Sequence, residues 1–330
     1  MRGSCSSTSN VSGFPFVDQR HFLSPLAPAD ARALFKASVV NVEMAISSYC
    51  NRRCPYCPNK DVDRRTAHYR MDDGVFLNIM RHLKDIAYSG EICLHRFNEP
   101  LADRDYALAR IRQVRQFIPA AAIIIYTNGD YLDGEYLRLL GEAGIACIAA
   151  TVHAPPEGAN FTTLAAQLGE RVRQLGRNWR LVEDRPGLRV VEIEAGPRMR
   201  LFYTARDFFQ IGSDGPEMLD RGQSLDAGKT YRRDQPCLQP FTELQVEWDG
   251  TLLPCCNIHT DVAAHQAHFL GRVAAETDLF AEWTNAAYAA WRRTLFSNRL
   301  KPSPCTSCDH ALLDDTPAMR QWVERTGARP

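Results

Sequence analysis

Several common features are missing from this sequence, and each absence narrows what the chain can be. No run of apolar residues is long enough to span a bilayer, which excludes an integral helical membrane protein. Met1 to Asn10 is Ser-rich and lacks the apolar segment of an export signal. Neither sign of charge is in excess: Lys+Arg and Asp+Glu stand at 39 each, so no net field favours nucleic acid or an anionic membrane. No repeat of solenoid type appears. What remains is an ordinary globular composition, 45% hydrophobic and 24% charged, in 330 residues. That length suits one large α/β domain with a smaller appendage.

Cysteine is the exception. Eleven copies without an export signal point to metal in a reducing cytoplasm rather than to disulfides. Three of them sit in Cys50-Asn51-Arg52-Arg53-Cys54-Pro55-Tyr56-Cys57, directly after an apolar, strand-like run from Val39 to Ile46. A loop this short turns three sulfurs toward one point. Thiolates hold iron–sulfur clusters, and three ligands on a four-iron cubane leave one iron open for a further group. Zinc prefers four protein ligands in tetrahedral sites, and no fourth Cys or His lies in the loop. Reduced thiols without metal are the remaining alternative.

The loop resembles the signature of the radical S-adenosylmethionine (SAM) superfamily, C-x3-C-x-aromatic-C. The resemblance implies that the open iron chelates the amino and carboxylate groups of SAM, and that Tyr56 packs beside the adenine.

The elements after the loop repeat. An amphipathic helix over Asp72–Ala87 carries Val75, Phe76, Ile79, Leu83 and Ile86 at helical spacing. It is followed by a strand over Glu91–Phe97, a helix over Asp103–Phe117, and a strand over Ala122–Tyr126. Next come a helix over Gly134–Ala143 stopped by Gly144, and a strand over Ala146–Val152. Asn160–Gly176 reads as a helix with Asn160 as its N-cap, and Leu188–Ile193 and Met199–Tyr203 read as two more strands. Alternating strands and helices imply right-handed crossovers and a parallel sheet. The expected fold is therefore α/β, a partial (β/α)6 barrel with a small Cys-rich α+β domain after it. The expected ranges are 1–38 for an N-terminal extension with a short helix over Ala29–Lys36, 39–207 for the barrel, 208–236 for a connection, and 237–330 for the second domain with a C-terminal helix.

Ligands of parallel α/β sheets collect at the carboxyl ends of the strands. That rule places the Cys50–Cys57 loop, Asn98-Glu99-Pro100, Thr127-Asn128-Gly129 and Thr151-Val152-His153 on one rim. Phe97-Asn98-Glu99-Pro100 is similar to the superfamily's G-G-E-P motif, whose polar groups receive the SAM ammonium. The match implies that role for Glu99, with Asn98 assisting by side chain where relatives have glycine. A surface Glu opening a helix is the plainer alternative. Asn128, in a T-N-G that relatives share, reaches the ribose or makes a turn. Thr151 and His153 occupy a position where relatives bind ribose. A lone His is more often a structural group, and the same caution applies to His95. Arg200 or Arg206 would suit a carboxylate.

A second constellation spans Cys237 to Cys308. Cys237 precedes a hairpin, Glu243–Trp248 and Thr251–Cys255, turned by Asp249-Gly250. An amphipathic helix with Leu279, Trp283, Trp291 and Leu295 then leads to Cys305-Thr306-Ser307-Cys308. Four thiolates would saturate a cubane, although four also suit structural zinc. The arrangement resembles the twitch domain, the short form of the SPASM extension of radical SAM enzymes. It implies an auxiliary [4Fe-4S] cluster on Cys237, Cys255, Cys305 and Cys308, beside the SAM-binding [4Fe-4S] cluster on Cys50, Cys54 and Cys57. Cys256 is then left over as a hydrogen-atom donor to a substrate radical, a buried apolar residue, or the true ligand in place of Cys255. Cys93 and Cys147 read as core, and Cys5 as part of the tail.

The resemblance implies reductive cleavage of SAM to a 5′-deoxyadenosyl radical, which abstracts hydrogen from a C–H bond. Oxidation follows if the auxiliary cluster accepts an electron, and epimerisation if Cys256 supplies hydrogen. The expected substrate is a small molecule of the sugar, aminocyclitol or amino-acid-derived kind, and the setting natural-product biosynthesis. A flavodoxin or ferredoxin would be the electron donor. Peptide modification is the alternative, disfavoured because about 38 residues before the first strand are too few for a leader-binding domain. A non-catalytic iron–sulfur electron carrier or a zinc-binding protein would be the alternatives of another class.

Overall fold

Where an apolar run is followed by a helix with its own caps, the chain must cross back over the sheet and the next strand runs parallel. The computed structural model describes residues 16–209, 211–212, 215–216 and 218–327; Cys5 lies outside them. In chain order the first elements are α1 (Pro28–Ser38), β1 (Asn41–Met44), α2 (Asp73–Asp85), β2 (Glu91–Cys93) and α3 (Arg104–Phe117). They are followed by β3 (Ala122–Thr127), α4 (Gly134–Ala143), β4 (Cys147–Val152) and α5 (Phe161–Leu175). Strands β5 (Trp179–Arg185), β6 (Leu188–Glu194) and β7 (Arg200–Arg206) come next. The later helices are α6 (Gln239–Thr242), α7 (Leu279–Trp283), α8 (Ala286–Leu295) and α9 (Pro317–Thr326).

The described residues divide into two compact units, one built from 44–70 and 89–211, the other from 16–43, 71–88 and 212–327. In the first, β2, β3, β4 and β7 lie side by side and parallel. The helices between them begin on side-chain caps: Asp103 accepts from Tyr106 N, Asp133 from Tyr136 N, and Asn160 from Thr163 N. Two end on left-handed glycines, Gly144 at φ +98° and Gly176 at φ +58°. Cys93 and Cys147 are buried in the core with Ile124 and Phe202, as the sequence suggests.

The α/β class and the strands over 188–193 and 199–203 are present, but the last three strands pair differently from the expected crossovers. Trp179–Arg185, unassigned from sequence, is a strand, and β5, β6 and β7 form an antiparallel meander. Only Pro186-Gly187 separates β5 from β6, too short a link for a crossover. Gly187 supplies the positive φ, +75°, that the turn requires. Strand β5 escapes notice because its side chains are mostly polar and its apolar Trp179 and Leu181 are exposed.

In the second unit α1 packs on α7, with Phe35 edge-on to Phe280 and Trp283 at 5.2 and 5.1 Å. Helix α2 joins them through His82, whose ring lies 5.3 Å from that of Phe280. The expected hairpin is formed by Glu243–Val246 and Thr251–Leu253, antiparallel with Gln245 opposite Leu253. The single helix expected around Leu279 to Leu295 is two, because Asn285 caps a new start by accepting from Tyr288 N. Val17, Phe22, Phe241, Phe296, Met319 and Val323 form one buried cluster that anchors the expected C-terminal helix, α9. No helix among the described residues is long and apolar enough to cross a membrane.

Gly250 turns the hairpin at φ +89°, and a Cβ there would stand 2.2 Å from the carbonyl oxygen of Val273. Gly250→Ala should therefore destabilise the protein by about 2 kcal/mol or more, read as a lower urea midpoint with unchanged slope.

Candidate functional site

The cluster loop leaves the sheet after Met44 and closes on itself: Cys50 N donates to Arg64 O at 3.0 Å and Cys57 N to Cys54 O at 3.0 Å. Cys54 is buried, while Cys50 and Cys57 are half-buried. Burial pushes the Cys50 thiol up to about 11 and the Cys54 thiol to about 12, and the neighbouring loop thiolates add to both shifts. Thiols in this state ionise only against a cation, which suits metal ligation. Among the described residues no three His, Cys, Asp or Glu side chains close on one point as the ligands of a single ion do. In a cubane each thiolate takes a different iron, so its sulfurs stand further apart.

The Tyr56 ring is stacked on Phe208, centroids 4.1 Å apart, and its hydroxyl is hydrogen-bonded to His153 Nδ1 at 2.8 Å. Burial, then the Arg52 charge, lowers the His153 pKa to about 4, so the ring is neutral at physiological pH. Asn98 and Glu99 are both buried. Glu99 Oε1 accepts from Leu101 N at 3.0 Å and Thr127 Oγ1 at 2.6 Å, and Oε2 accepts from Asn128 N at 2.8 Å. Burial still dominates these bonds and raises its pKa to about 7. Oε2 retains a lone pair for one more donor. Asn98 Oδ1 accepts from Arg96 N at 2.9 Å, whereas its Nδ2 is buried with no acceptor. The open acceptor of Glu99 suits an ammonium such as that of SAM, and the open donor of Asn98 suits a carboxylate.

Asn128 does make a turn: its Oδ1 accepts from Asp130 N at 2.9 Å, and its Nδ2 donates to Asn51 Oδ1 at 2.7 Å. Thr151 is half-exposed one residue before the end of β4. Of the other residues named, His95 stacks on Tyr126 at 5.0 Å, Arg200 is paired with Glu192, and Arg206 lies over Phe208.

The sequence reading missed the node that holds these parts together. Asp130 accepts from Asn51 Nδ2 at 2.8 Å, from Arg52 Nε and Nη2 at 2.7 and 2.6 Å, and from Arg171 Nη2 at 2.8 Å. Arg52 also donates to His153 O at 2.9 Å. The loop between the first two cysteines is thus tied to the end of β3 and to α5. Arg52, Arg171, His153, Asn128 and Tyr203 line a cleft of about 380 Å³. The available signal was a charged residue directly after Thr127-Asn128-Gly129; Arg171, inside a helix, gave none.

In the second unit Cys237, Cys255, Cys305 and Cys308 line one small cavity together with Asn257, Arg233 and His310. Cys256 is not among the lining residues, and its Sγ lies 3.7 Å from Nε2 of His310, which is. Burial, then the other thiolates, pushes Cys255 and Cys305 well up. Like the loop thiols, this set fits a cluster, whose irons supply the missing cation.

A parallel-stranded α/β sheet that carries a three-thiol loop beside a buried carboxylate defines a class, and the sequence comparisons agree with it. The pattern of the Radical SAM superfamily matches residues 44–179, and that of SPASM, an iron-sulfur cluster-binding domain, matches residues 237–309. Residues 44–179 are thus a domain of the radical SAM type, and residues 237–309 an iron-sulfur cluster-binding domain of the SPASM type.

Among individual relatives, it is 37% identical over 113 residues to the S-adenosyl-L-methionine-dependent 2-deoxy-scyllo-inosamine dehydrogenase of Niallia circulans. That match spans 34% of this chain and 44% of the relative's length. It is 24% identical over 316 residues to the tungsten-containing aldehyde ferredoxin oxidoreductase cofactor-modifying protein of Pyrococcus furiosus, over 80% of this chain and 86% of that one. Among solved structures it shares the fold of BtrN in complex with AdoMet and 2-DOIA, with a TM-score of 0.56 and 24% identity over 83% of this chain and 94% of that one. It also shares the fold of anSMEcpe with bound AdoMet, with a TM-score of 0.50 and 12% identity over 87% of this chain and 95% of that one.

Asp130→Ala leaves two guanidinium groups without their carboxylate. It should cost about 2 kcal/mol of stability and speed iron loss from the protein in air, both relative to wild type. An iron-loss rate equal to that of wild type would show that the node does not support the loop.

Proposed function

We propose that the chain is a SAM-dependent radical oxidoreductase acting on a small molecule of the aminocyclitol, sugar or amino-acid-derived kind, in natural-product biosynthesis. What supports this is the incomplete set of three thiols next to a buried Glu99 that keeps an open acceptor: Glu99 N donates to Tyr49 O at 2.7 Å, one residue before Cys50. The relative that is 37% identical over part of this chain is a dehydrogenase of an aminocyclitol, by its name.

In this reading Cys50, Cys54 and Cys57 hold a [4Fe-4S] cluster that, with SAM bound to it, supplies the radical that abstracts substrate hydrogen. Glu99 and Asn98 hold the amino-acid end of SAM. Tyr56, Asn128, Thr151 and His153 frame its nucleoside, and the Tyr56–His153 bond fixes the ring. Arg52 and Asp130 keep the loop in place. Cys237, Cys255, Cys305 and Cys308 hold the second [4Fe-4S] cluster, which accepts the second electron of an oxidation. We place the protein in the cytoplasm with a flavodoxin or ferredoxin as its electron donor. A second outcome, epimerisation, is favoured by Cys256, a fifth thiol beside the cavity that the other four line.

Anaerobically reconstituted wild type should bind about eight irons and form 5′-deoxyadenosine on reduction with dithionite. Cys54→Ala should bind about half as much iron and form none. Zinc in place of iron, or eight irons without 5′-deoxyadenosine, would sink the reading. Turnover in heavy water separates the outcomes: deuterium at an inverted carbon, lost in Cys256→Ala, marks epimerisation.

The raised Glu99 pKa gives a pH dependence. Below about pH 7 the buried group carries a proton and cannot attract an ammonium. Without SAM this protonation stabilises the folded chain at acid pH, and the gain is lost as pH rises through the folded value. SAM binding should thus tighten by roughly tenfold between about pH 6 and about pH 8, with Asp130 the nearby carboxylate that opposes ionisation. Glu99→Gln should bind SAM weakly and with a flat profile over the same range, measured by equilibrium dialysis.

A further inference from the structure

We propose that Arg233, seconded by Lys301, is an internal counter-cation of the auxiliary cluster, hydrogen-bonded to one of its thiolates and offsetting its negative charge. The inference rests on the reading of Cys237, Cys255, Cys305 and Cys308 as ligands. Arg233 is 1% exposed. Its Nη1 lies 3.8 Å from Cys308 Sγ and donates to His310 O at 2.7 Å and Cys308 O at 3.3 Å. Its Nη2 donates to Pro236 O at 2.7 Å and its Nε to Gln235 O at 3.3 Å. Every oxygen partner is a backbone carbonyl, and no carboxylate is among them.

Lys301 repeats the pattern. It is 3% exposed, and its Nζ donates to the carbonyls of Ser297 at 2.6 Å, Arg299 at 2.7 Å and Asp234 at 3.3 Å, and to Ser297 Oγ at 3.1 Å. The two cations share a backbone frame with the cysteine turn: Arg233 N donates to Thr306 O and Lys301 N to Arg233 O, each at 2.8 Å. The nearby acids are engaged elsewhere, Asp309 with Lys229 at 2.6 Å and Asp220 with Ser307 at 2.6 Å.

An arginine stays charged in protein interiors, and a buried charge without a counter-charge is strongly destabilising. The anion able to balance Arg233 is the thiolate set itself, which as a four-thiolate cubane remains net negative. Reduction adds one electron and one more negative charge, and a fixed cation beside the sulfurs favours that state. Asn257, its Nδ2 3.9 Å from the same Sγ, adds a neutral donor.

The test uses the full chain carrying Cys50→Ala, Cys54→Ala and Cys57→Ala, reconstituted anaerobically, so that a single cluster of about four irons is titrated. Its reduction potential is read by mediated titration followed by electron paramagnetic resonance. Arg233→Gln should keep the irons and shift the potential to more negative values, and Arg233→Lys should restore part of the shift. An unmoved potential in iron-loaded Arg233→Gln overturns the role. Should that variant fail to fold, Lys301→Met decides: a negative shift supports the role, and no shift overturns it. A background protein with no iron at all overturns the ligand assignment, and the role of Arg233 with it.

Discussion

A thiol taken out of water resists losing its proton, and both cysteine sets are built in that condition. Desolvation leads the rise at Cys50, Cys54, Cys255 and Cys305, and mutual repulsion of the thiolates adds to it. Such a set is stable as neutral thiols or as ligands of a multiply charged centre, and poorly stable in between. Much of the surrounding chain is arranged around that fact: guanidinium and amide donors face the sulfurs, while the nearby carboxylates are hydrogen-bonded or ion-paired.

The two sets solve the electrostatic problem differently. At the three-thiol loop, Arg52 shares the Asp130 carboxylate with Arg171, and this pairing holds the loop in place. At the four-thiol cavity, Arg233 has no carboxylate, and its charge is directed at the sulfurs. Glu99 is a third case, a buried carboxylate held by three neutral donors with a lone pair to spare. It is poised near neutrality because those bonds only partly offset the loss of water.

Legibility in the sequence followed the range of the interactions. Features set by neighbours along the chain were readable: the C-x3-C-x2-C loop, the cap at Asn160, the Gly144 stop, and the Asp249-Gly250 turn. The β5–β6 hairpin was missed because its alternation is mostly of charges, which mark a solvated face as readily as a strand. The break at Asn285 hid inside an apolar periodicity that continues across it. Asp130 and Arg233 take their meaning from partners distant in sequence, Arg171 and Cys308 among them. No local pattern announces such residues.

Strand β5 closes one edge of the sheet with Trp179 and Leu181 turned to solvent. Such an edge invites a further strand from another molecule. Here a bulge between Leu181 and Glu183 breaks the repeat of amides and carbonyls that an incoming strand would have to match. Arg180, Asp184 and Arg185 crowd the same border with charge. The exposed Trp179 indole and Leu181 methyls thus sit on a border whose irregular backbone and charge oppose fibre-like stacking at high concentration.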